Sequence, residues 1–321
     1  MKSIPTIEDI RLAAQRIEPY INRTPVMTSS AINNMFGAEL YFKCENFQKV
    51  GAFKARGAVN AVLSLDPEKL SKGVATHSSG NHGAALAMAA RIRGIPAYIV
   101  MPDNAPDVKK EAVAAYGAAI TYCKPTLKDR EDTLREIVEL TGAKFIHPFN
   151  DYRIIAGAST TALEFLEEVS DLDIMMAPVG GGGLVSGTAL CVHYLSPSTR
   201  VIAAEPKGAD DAYHSFKAGR IIPCDNPVTI ADGLLTSLGD KTFDIISRFV
   251  DDIVTVDETA IIQATRLIME RMKIVVEPSS AVPLAAISGN KLEVSGKRVG
   301  IILSGGNIDL DSFHSRVDNK L

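Results

Sequence analysis

Gly73-Val74-Ala75-Thr76-His77-Ser78-Ser79-Gly80-Asn81-His82-Gly83 changes character halfway along. Val74, Ala75 and Thr76 make a short apolar run of strand type. The polar, glycine-rich loop Ser78–Gly83 follows and opens a helix-forming stretch that reaches Arg93. The same order repeats downstream. Strands are predicted at Ala97–Met101, Ala118–Tyr122 and Lys144–His147, with helices over Asp107–Tyr116 and Lys128–Leu140 between them. Further on come a helix over Gly157–Glu168, a strand over Ile174–Val179 and a helix over Val185–Tyr194. Strands at Val201–Ala204, Ile253–Val256 and Val299–Leu303 and a helix over Glu258–Met272 complete the second half. Upstream, Thr6–Ile21 reads as an amphipathic helix, Ala31–Met35 as a short capped helix and Glu39–Lys43 as a strand. Strands separated by helices and short links imply an α/β fold, with parallel sheets covered on both faces. Residues 69–148 are expected to form a small domain, and residues 1–68 with 149–321 a large one.

Composition narrows the function. The chain has 321 residues, 46% of them hydrophobic, and a formal net charge of −4. Its positive charge is dispersed, which argues against a nucleic-acid surface. There is no run of about 18 apolar residues, so no membrane span is expected. The opening Met1–Asp9 has no apolar core of a signal peptide. Cys44, Cys123, Cys191 and Cys224 are far apart and form no Cys-x-x-Cys pair. This argues against a disulfide framework or a zinc site and suits a reducing cytoplasm.

Ligands of open α/β sheets gather beyond the carboxyl ends of the strands. Ser78–Gly83, Gly180–Gly183, Glu205–Asp211 and Ser304–Asn307 all follow predicted strands, so they are expected to face one crevice. Gly180-Gly181-Gly182-Gly183 joins a strand to a helix. Such a loop either serves as a tight turn or aims its amides at an anion on the helix N-terminus. It matches neither Gly-x-Gly-x-x-Gly nor the Walker pattern, so a phosphate-bearing cofactor other than a nucleoside triphosphate fits best. Glu205, Asp210 and Asp211 are hard oxygen groups suited to Mg²⁺ or Ca²⁺, or else solvated loop charge. In Gly51-Ala52-Phe53-Lys54-Ala55-Arg56-Gly57, Lys54 has apolar neighbours. It either snorkels to water from a helix start, or is desolvated, which lowers its pKa and makes it a nucleophile able to form a Schiff base.

Taken in order, Lys43–Ala58, Ser78–Gly83, Gly180–Leu184, Glu205-Pro206 with Ala209-Asp210-Asp211, Glu277-Pro278-Ser279 and Ser304–Asn307 resemble the fold-type II pyridoxal-phosphate enzymes. The resemblance covers nearly the whole chain and implies a two-domain, tryptophan synthase β-like fold. Its nearest branch includes serine racemase, threonine and serine dehydratases and 3-hydroxyaspartate dehydratases. By resemblance, Lys54, next to Phe53, holds pyridoxal 5'-phosphate. Gly180, Gly181, Gly182, Gly183 and Leu184 bind its phosphate, Asn81 its ring oxygen and Ser304 its pyridine nitrogen. A neutral serine there favours prompt expulsion of a β-leaving group over a long-lived carbanion. Ser78, Ser79, His82 and Arg130 are then expected to face the substrate. Ser79 is the acid/base on the face opposite Lys54 in the racemase, and His82 reads as a structural group or helix-start donor. Arg130 lies in Asp129-Arg130-Glu131, where a surface ion pair is the other reading. Glu205, the Ala209 carbonyl and Asp211 match a site for Mg²⁺, Ca²⁺ or Mn²⁺.

The implied activity is a dehydratase, or ammonia-lyase, acting on L-serine, L-threonine or threo-3-hydroxyaspartate. Serine racemisation is the main alternative. β-Replacement, as in cysteine synthase, fits the lysine segment and the acidic cluster less well. A binding protein that has lost the chemistry is the non-enzyme alternative, and the presence of Lys54, Ser79, Asn81 and Ser304 counts against it. A homodimer is implied. Ser29, Ser30, Lys49, Tyr116 and Lys273 match a nucleotide-effector site at a subunit interface, but Val50 and Ala84 each lose a polar group there, which argues against nucleotide control.

Overall fold

The computed structural model describes residues 3–78, 80–311 and 313. Its elements, in order, begin with α1 (Ile7–Ile17), β1 (Val26–Thr28), α2 (Ser30–Phe36), β2 (Glu39–Cys44) and α3 (Lys54–Leu63). The middle of the chain contributes β3 (Val74–His77), α4 (Asn81–Arg93), β4 (Ala97–Pro102), α5 (Asp107–Ala115), β5 (Ala119–Cys123), α6 (Leu127–Thr141) and β6 (Lys144–Phe145). The second half adds α7 (Tyr152–Glu168), β7 (Ile174–Pro178), α8 (Gly183–Leu195), β8 (Arg200–Pro206), α9 (Asp211–Ala218) and α10 (Asp240–Phe249). It ends with β9 (Asp252–Val256), α11 (Glu258–Met272), α12 (Pro278–Ser288) and β10 (Arg298–Leu303).

The strands form two sheets. A four-stranded sheet runs β5-β4-β3-β6 and is wholly parallel. A six-stranded sheet runs β1-β2-β10-β7-β8-β9, parallel except for β1 against β2. The last strand, β10, lies between β2 and β7, pairing from Arg298 with Glu39 through to Leu303 with Cys44. This register brings Ser304, the lysine segment after β2 and the glycine loop after β7 to the same carboxyl edge. Buried apolar side chains cover both faces of the large sheet, Ile202, Val299 and Ile301 on one side and Met175, Val201 and Ile302 on the other. Continuous apolar strands of this kind are what a doubly covered parallel sheet requires.

Helix α3 is buried from Ala55 to Val62. It crosses α7 so closely that a Cβ on Gly157 would lie 2.5 Å from the Arg56 carbonyl. Beneath it, the Arg56 guanidinium donates to Glu45 at 2.7 and 2.8 Å and to Glu164 at 2.7 and 2.8 Å. Lys43 joins Glu164 at 2.9 Å. These bonds tie β2, α3 and α7 into one rigid base for Lys54.

The structure departs from the sequence reading at several places, among them helices α9 and α10, which that reading did not name. α1 ends at Ile17 in a short 3-10 turn around Pro19, before Thr24-Pro25. The three-residue antiparallel strand β1 is too short for a periodic signal. α7 starts at Tyr152 rather than Gly157, because the Asp151 side chain caps the Arg153 amide at 2.8 Å. α12 is buried all round, so it carries no amphipathic pattern, and Pro283 inside it disguises it further.

Candidate active site

A cavity of about 240 Å³ opens between the two sheets at their carboxyl edges. Phe53, Lys54, Ser78, Asn81, His82 and Arg130 line it, and so do Gly180–Gly183, Leu184 and Ser304. Every cofactor- or substrate-facing residue named from the sequence is thus brought to one place, apart from Ser79, which lies outside the described residues.

Lys54 begins α3 and is half-buried at the cleft floor. Its Nζ donates to the Pro148 carbonyl at 3.0 Å and lies 5.1 Å from the centre of the Phe53 ring. No carboxylate among the described residues pairs with it. Burial therefore pushes its pKa down to about 8, opposed only by the charge of Glu277. Near neutral pH a useful fraction of this amine is unprotonated, as a nucleophile or base requires. The snorkelling alternative does not hold.

The glycine loop is shaped for an anion. Gly182 has φ +85°, and a Cβ on Gly181 would lie 2.3 Å from the Phe149 ring. The amides of Gly180–Gly183 find no protein acceptor among the described residues, and α8 begins at Gly183. Free amides at a helix N-terminus suit a phosphate.

On the opposite wall, no side chain among the described residues caps α4, and the Ser78 hydroxyl accepts from the Gly80 amide at 3.2 Å. His82 is buried, and its ring nitrogens have only a weak approach to the Ile146 backbone for a partner among the described residues. Burial and the nearby Lys54 hold its pKa well below the usual range, so the ring is neutral. Free glycine-loop amides in a cleft that Lys54 and Arg130 also line leave places for an anionic ligand to fill.

Asn81 is held on both sides. Its Nδ2 donates to Glu277 at 2.8 and 3.1 Å, and its Oδ1 accepts from Asn307 at 3.0 Å. One N–H remains free to face the cleft. Asn307 also donates to the carbonyl of Val50 at 2.7 Å, steadying a β-branched residue at φ +56° just before the lysine segment. Glu277 is buried, which pushes its carboxyl up to about 7 against the pull of Lys109. Lys109, on α5, also pairs with Asp232 and so joins the small-sheet side to the large one. Ser304 faces Ser280, with oxygens 3.1 Å apart. Ser280 donates to the Gly305 carbonyl at 2.6 Å, which leaves Ser304 as the donor of the pair.

Arg130 and His77 line the small-sheet wall. Asp129 bonds Thr126 instead of Arg130, so the surface ion pair is not formed. The Arg130 guanidinium makes one long bond, to the Thr126 carbonyl at 3.4 Å, and burial pulls its pKa below the usual value. Burial and Arg130 push His77 down to about 4.

Glu205, Ala209 and Asp211 lie outside the cleft, where β8 leads into α9. Glu205 accepts from the amides of Ala212 at 3.0 Å and Tyr213 at 2.8 Å, and Asp211 from Leu238 at 3.1 Å. Asp210 turns away to His214, 3.3 Å distant. Burial and the neighbouring Asp211 push Glu205 up to about 9, and burial pushes Asp211 up to about 6. No cation compensates the pair. Among the described residues no three His, Cys, Asp or Glu side chains converge as a metal cage. A site here therefore needs the backbone carbonyl of Ala209 and water.

Glu277, Lys109, Asp232, Asn307, Ser280, His77 and His147 received no role from the sequence. Of these, Glu277 and Asn307 lay in segments that the sequence singled out, Glu277-Pro278-Ser279 and Ser304–Asn307, and Pro278 opens a helix in the first.

Residues 17–305 match the pyridoxal-phosphate dependent enzyme family, and the chain belongs to it. It is 54% identical over 310 residues to the beta-hydroxyaspartate dehydratase of Paracoccus denitrificans, spanning 97% of this chain and 98% of that one. It is 52% identical over 312 residues to the serine racemase of Dictyostelium discoideum, spanning 96% of each. The structure of maize serine racemase superposes with a TM-score of 0.94 at 47% identity, covering 99% of this chain and 98% of that one. The fold-type II expectation is therefore met. The four cysteines are free, and no described helix is long and apolar enough to cross a membrane.

Proposed function

We propose that this enzyme is an ammonia-lyase for β-hydroxy amino acids, with L-threo-3-hydroxyaspartate as the preferred substrate. The observation that carries the substrate choice is Arg130, a half-buried cation facing the cleft with no carboxylate partner among the described residues. L-Serine and L-threonine offer one carboxylate. A 3-hydroxyaspartate offers a second, and its charge-assisted bond to Arg130 is strong in a desolvated site. The 54% identity to a beta-hydroxyaspartate dehydratase supports the same choice.

Pyridoxal phosphate, when bound, supplies a carbonyl that captures amines and a ring that withdraws electrons. The glycine-loop amides would hold its phosphate, Asn81 its ring oxygen, Ser304 its ring nitrogen once the hydroxyl turns from Ser280, and Lys54 its carbonyl carbon. Lys54, once free of the cofactor, would be a neutral base at the cleft floor, placed to take the α-proton. The proton taken by Lys54 would balance the departing β-hydroxyl, so that water leaves, and the released enamine would hydrolyse to a 2-oxo acid and ammonia. Ser78, His82 and the N-terminus of α4 would receive the α-carboxylate. Glu205, Asp211 and the Ala209 carbonyl would hold Mg²⁺, Ca²⁺ or Mn²⁺ as a structural ion, since their uncompensated carboxylates call for a cation. The two sheets support a division into residues 69–148 and the rest. Exposed Phe47 and Val275, on segments joined by the Asn46–Val275 bond, support a homodimer, and the free cysteines fit a cytoplasmic protein.

The test is a panel of hydroxyaspartate isomers, L- and D-serine and L-threonine, reading both 2-oxo acid and remaining enantiomer. L-threo-3-hydroxyaspartate should have the highest kcat/KM. Arg130→Ala should lower that value by roughly 10- to 100-fold, the size of a lost charged hydrogen bond, and change serine turnover little. Equal losses for both substrates would end the Arg130 assignment. Serine racemisation is the second reading, favoured by the 52% identity to a serine racemase and by Ser79, and the enantiomer arm of the same panel decides it.

A further inference from the structure

We propose that His147 is a positioning residue for this site, accepting two backbone hydrogen bonds at Nδ1 that shape the segment presenting the Pro148 carbonyl to Lys54 and the Phe149 ring to the glycine loop. The inference rests on Lys54 being the cofactor-holding lysine.

The segment between β6 and α7 carries the chain from the small sheet back to the large one. The amides of Phe149 and Asn150 both donate to Nδ1 of His147, at 3.3 and 3.0 Å. Nδ1 therefore carries no proton, and the neutral ring keeps its hydrogen on Nε2. Burial, with His77 and Lys54 nearby, keeps the ring neutral down to about pH 4. Pro148 has no N–H, so the turn cannot be closed from that residue.

Three contacts depend on this shape. The Pro148 carbonyl, inside the loop closed by the imidazole, accepts from Lys54 Nζ at 3.0 Å. Phe149, edge-on to His147 at 4.6 Å, fills the space beside Gly181. Asn150 accepts from the Lys241 amide at 2.9 Å and donates to Asp240 at 2.6 Å, at the start of α10. Helix α10 in turn packs on Gly182, through Thr242 and Ile246. One imidazole thus sets the acceptor of the lysine, the wall of the glycine loop and the helix behind it.

The test compares His147→Asn, His147→Gln and His147→Leu. Asparagine places its carbonyl oxygen where Nδ1 was, whereas glutamine places it one bond further out. Amide hydrogen exchange at Phe149 and Asn150 reads the two bonds directly. The visible band of the bound cofactor, its pH midpoint and its retention on dialysis read the site. His147→Asn should keep slow exchange and a normal band. His147→Gln and His147→Leu should speed exchange at both amides, shift the midpoint and weaken cofactor retention by roughly tenfold, as expected for one lost net hydrogen bond. If His147→Leu fails to fold, the Asn–Gln pair carries the comparison. A normal band and slow exchange in the Gln variant, or an Asn variant that behaves like it, would overturn the role of His147. Slow exchange in the wild type with no visible band would instead overturn the Lys54 reading, and the link to it.

Discussion

Lys54 and Arg56 sit on the first turn of one helix and meet opposite fates. Arg56 is fully buried, yet Glu45 and Glu164 each receive two of its hydrogen bonds and Thr160 accepts another at 3.2 Å. Burial would lower its pKa, but those carboxylates raise it overall. Lys54 meets only a backbone carbonyl and an aromatic face, and its pKa falls to about 8. A buried charge whose partners all come from the fold belongs to the structure. One left with neutral partners is available to a ligand.

Lys54→Ala tests the contrast at its reactive end and should have the largest effect. Activity should fall by about 10³-fold or more, in line with loss of a nucleophile and a positioned base together, and no borohydride-reducible cofactor should remain. The fold should persist, as judged by circular dichroism and an unchanged denaturant slope. Full activity would mean that another lysine is the anchor.

Arg56→Leu tests the structural end. It leaves Glu45 in the interior without a cation and Glu164 with Lys43 alone, a loss of about 3–5 kcal/mol for a broken buried pair, read as the urea midpoint. A loss below about 1 kcal/mol would erase the proposed difference between the two cations.

The acidic pair near α9 extends the contrast to the opposite sign. Mg²⁺ or Ca²⁺ at 100 times its Kd should stabilise the protein by about 2.7 kcal/mol, and Asp211→Ala should abolish the gain. Chelation that leaves both melting temperature and activity unchanged would remove the site.

The smallest effect is the pH dependence of Lys54 itself in the cofactor-free protein. Its folded pKa, about 8, lies below the ordinary 10.5, so between those values the unfolded chain binds more protons. Stability from this group therefore rises with pH across that window and is lowest below pH 8. Cofactor-free Lys54→Met should be more stable than cofactor-free wild type by roughly 2 kcal/mol at pH 7, less than the full shift implies because Lys54 is only half-buried, and the difference should shrink towards pH 10.5. Paired thermal melts measure this, and a gap that does not change with pH would contradict the depressed pKa.

Much of the site was readable because its parts are local. Gly180–Gly183 announces a turn at a helix start, Ser78–Gly83 a polar strand-end loop, and Phe53-Lys54-Ala55 a lysine in apolar company. Their common position after strands follows from sheet topology alone. The residues that hold the site in shape were not readable. Asn81 meets Glu277 across 196 residues, Lys109 meets Asp232 across 123, and Asn307 meets Asn81 across 226. No local pattern encodes such pairs.

Sequence by itself determined the alternation of strands and helices, the loops at the strand ends and the candidates for the reactive groups, because hydrophobic period and turn chemistry act over a few residues. Tertiary structure decided which charges are answered. Arg56 and Lys54 are cations in the same segment, and only the packing of β2 and α7 gives one of them carboxylates and leaves the other with the Pro148 carbonyl. Desolvation and ion pairing depend on what surrounds a group in space, and that environment exists only once distant segments have met.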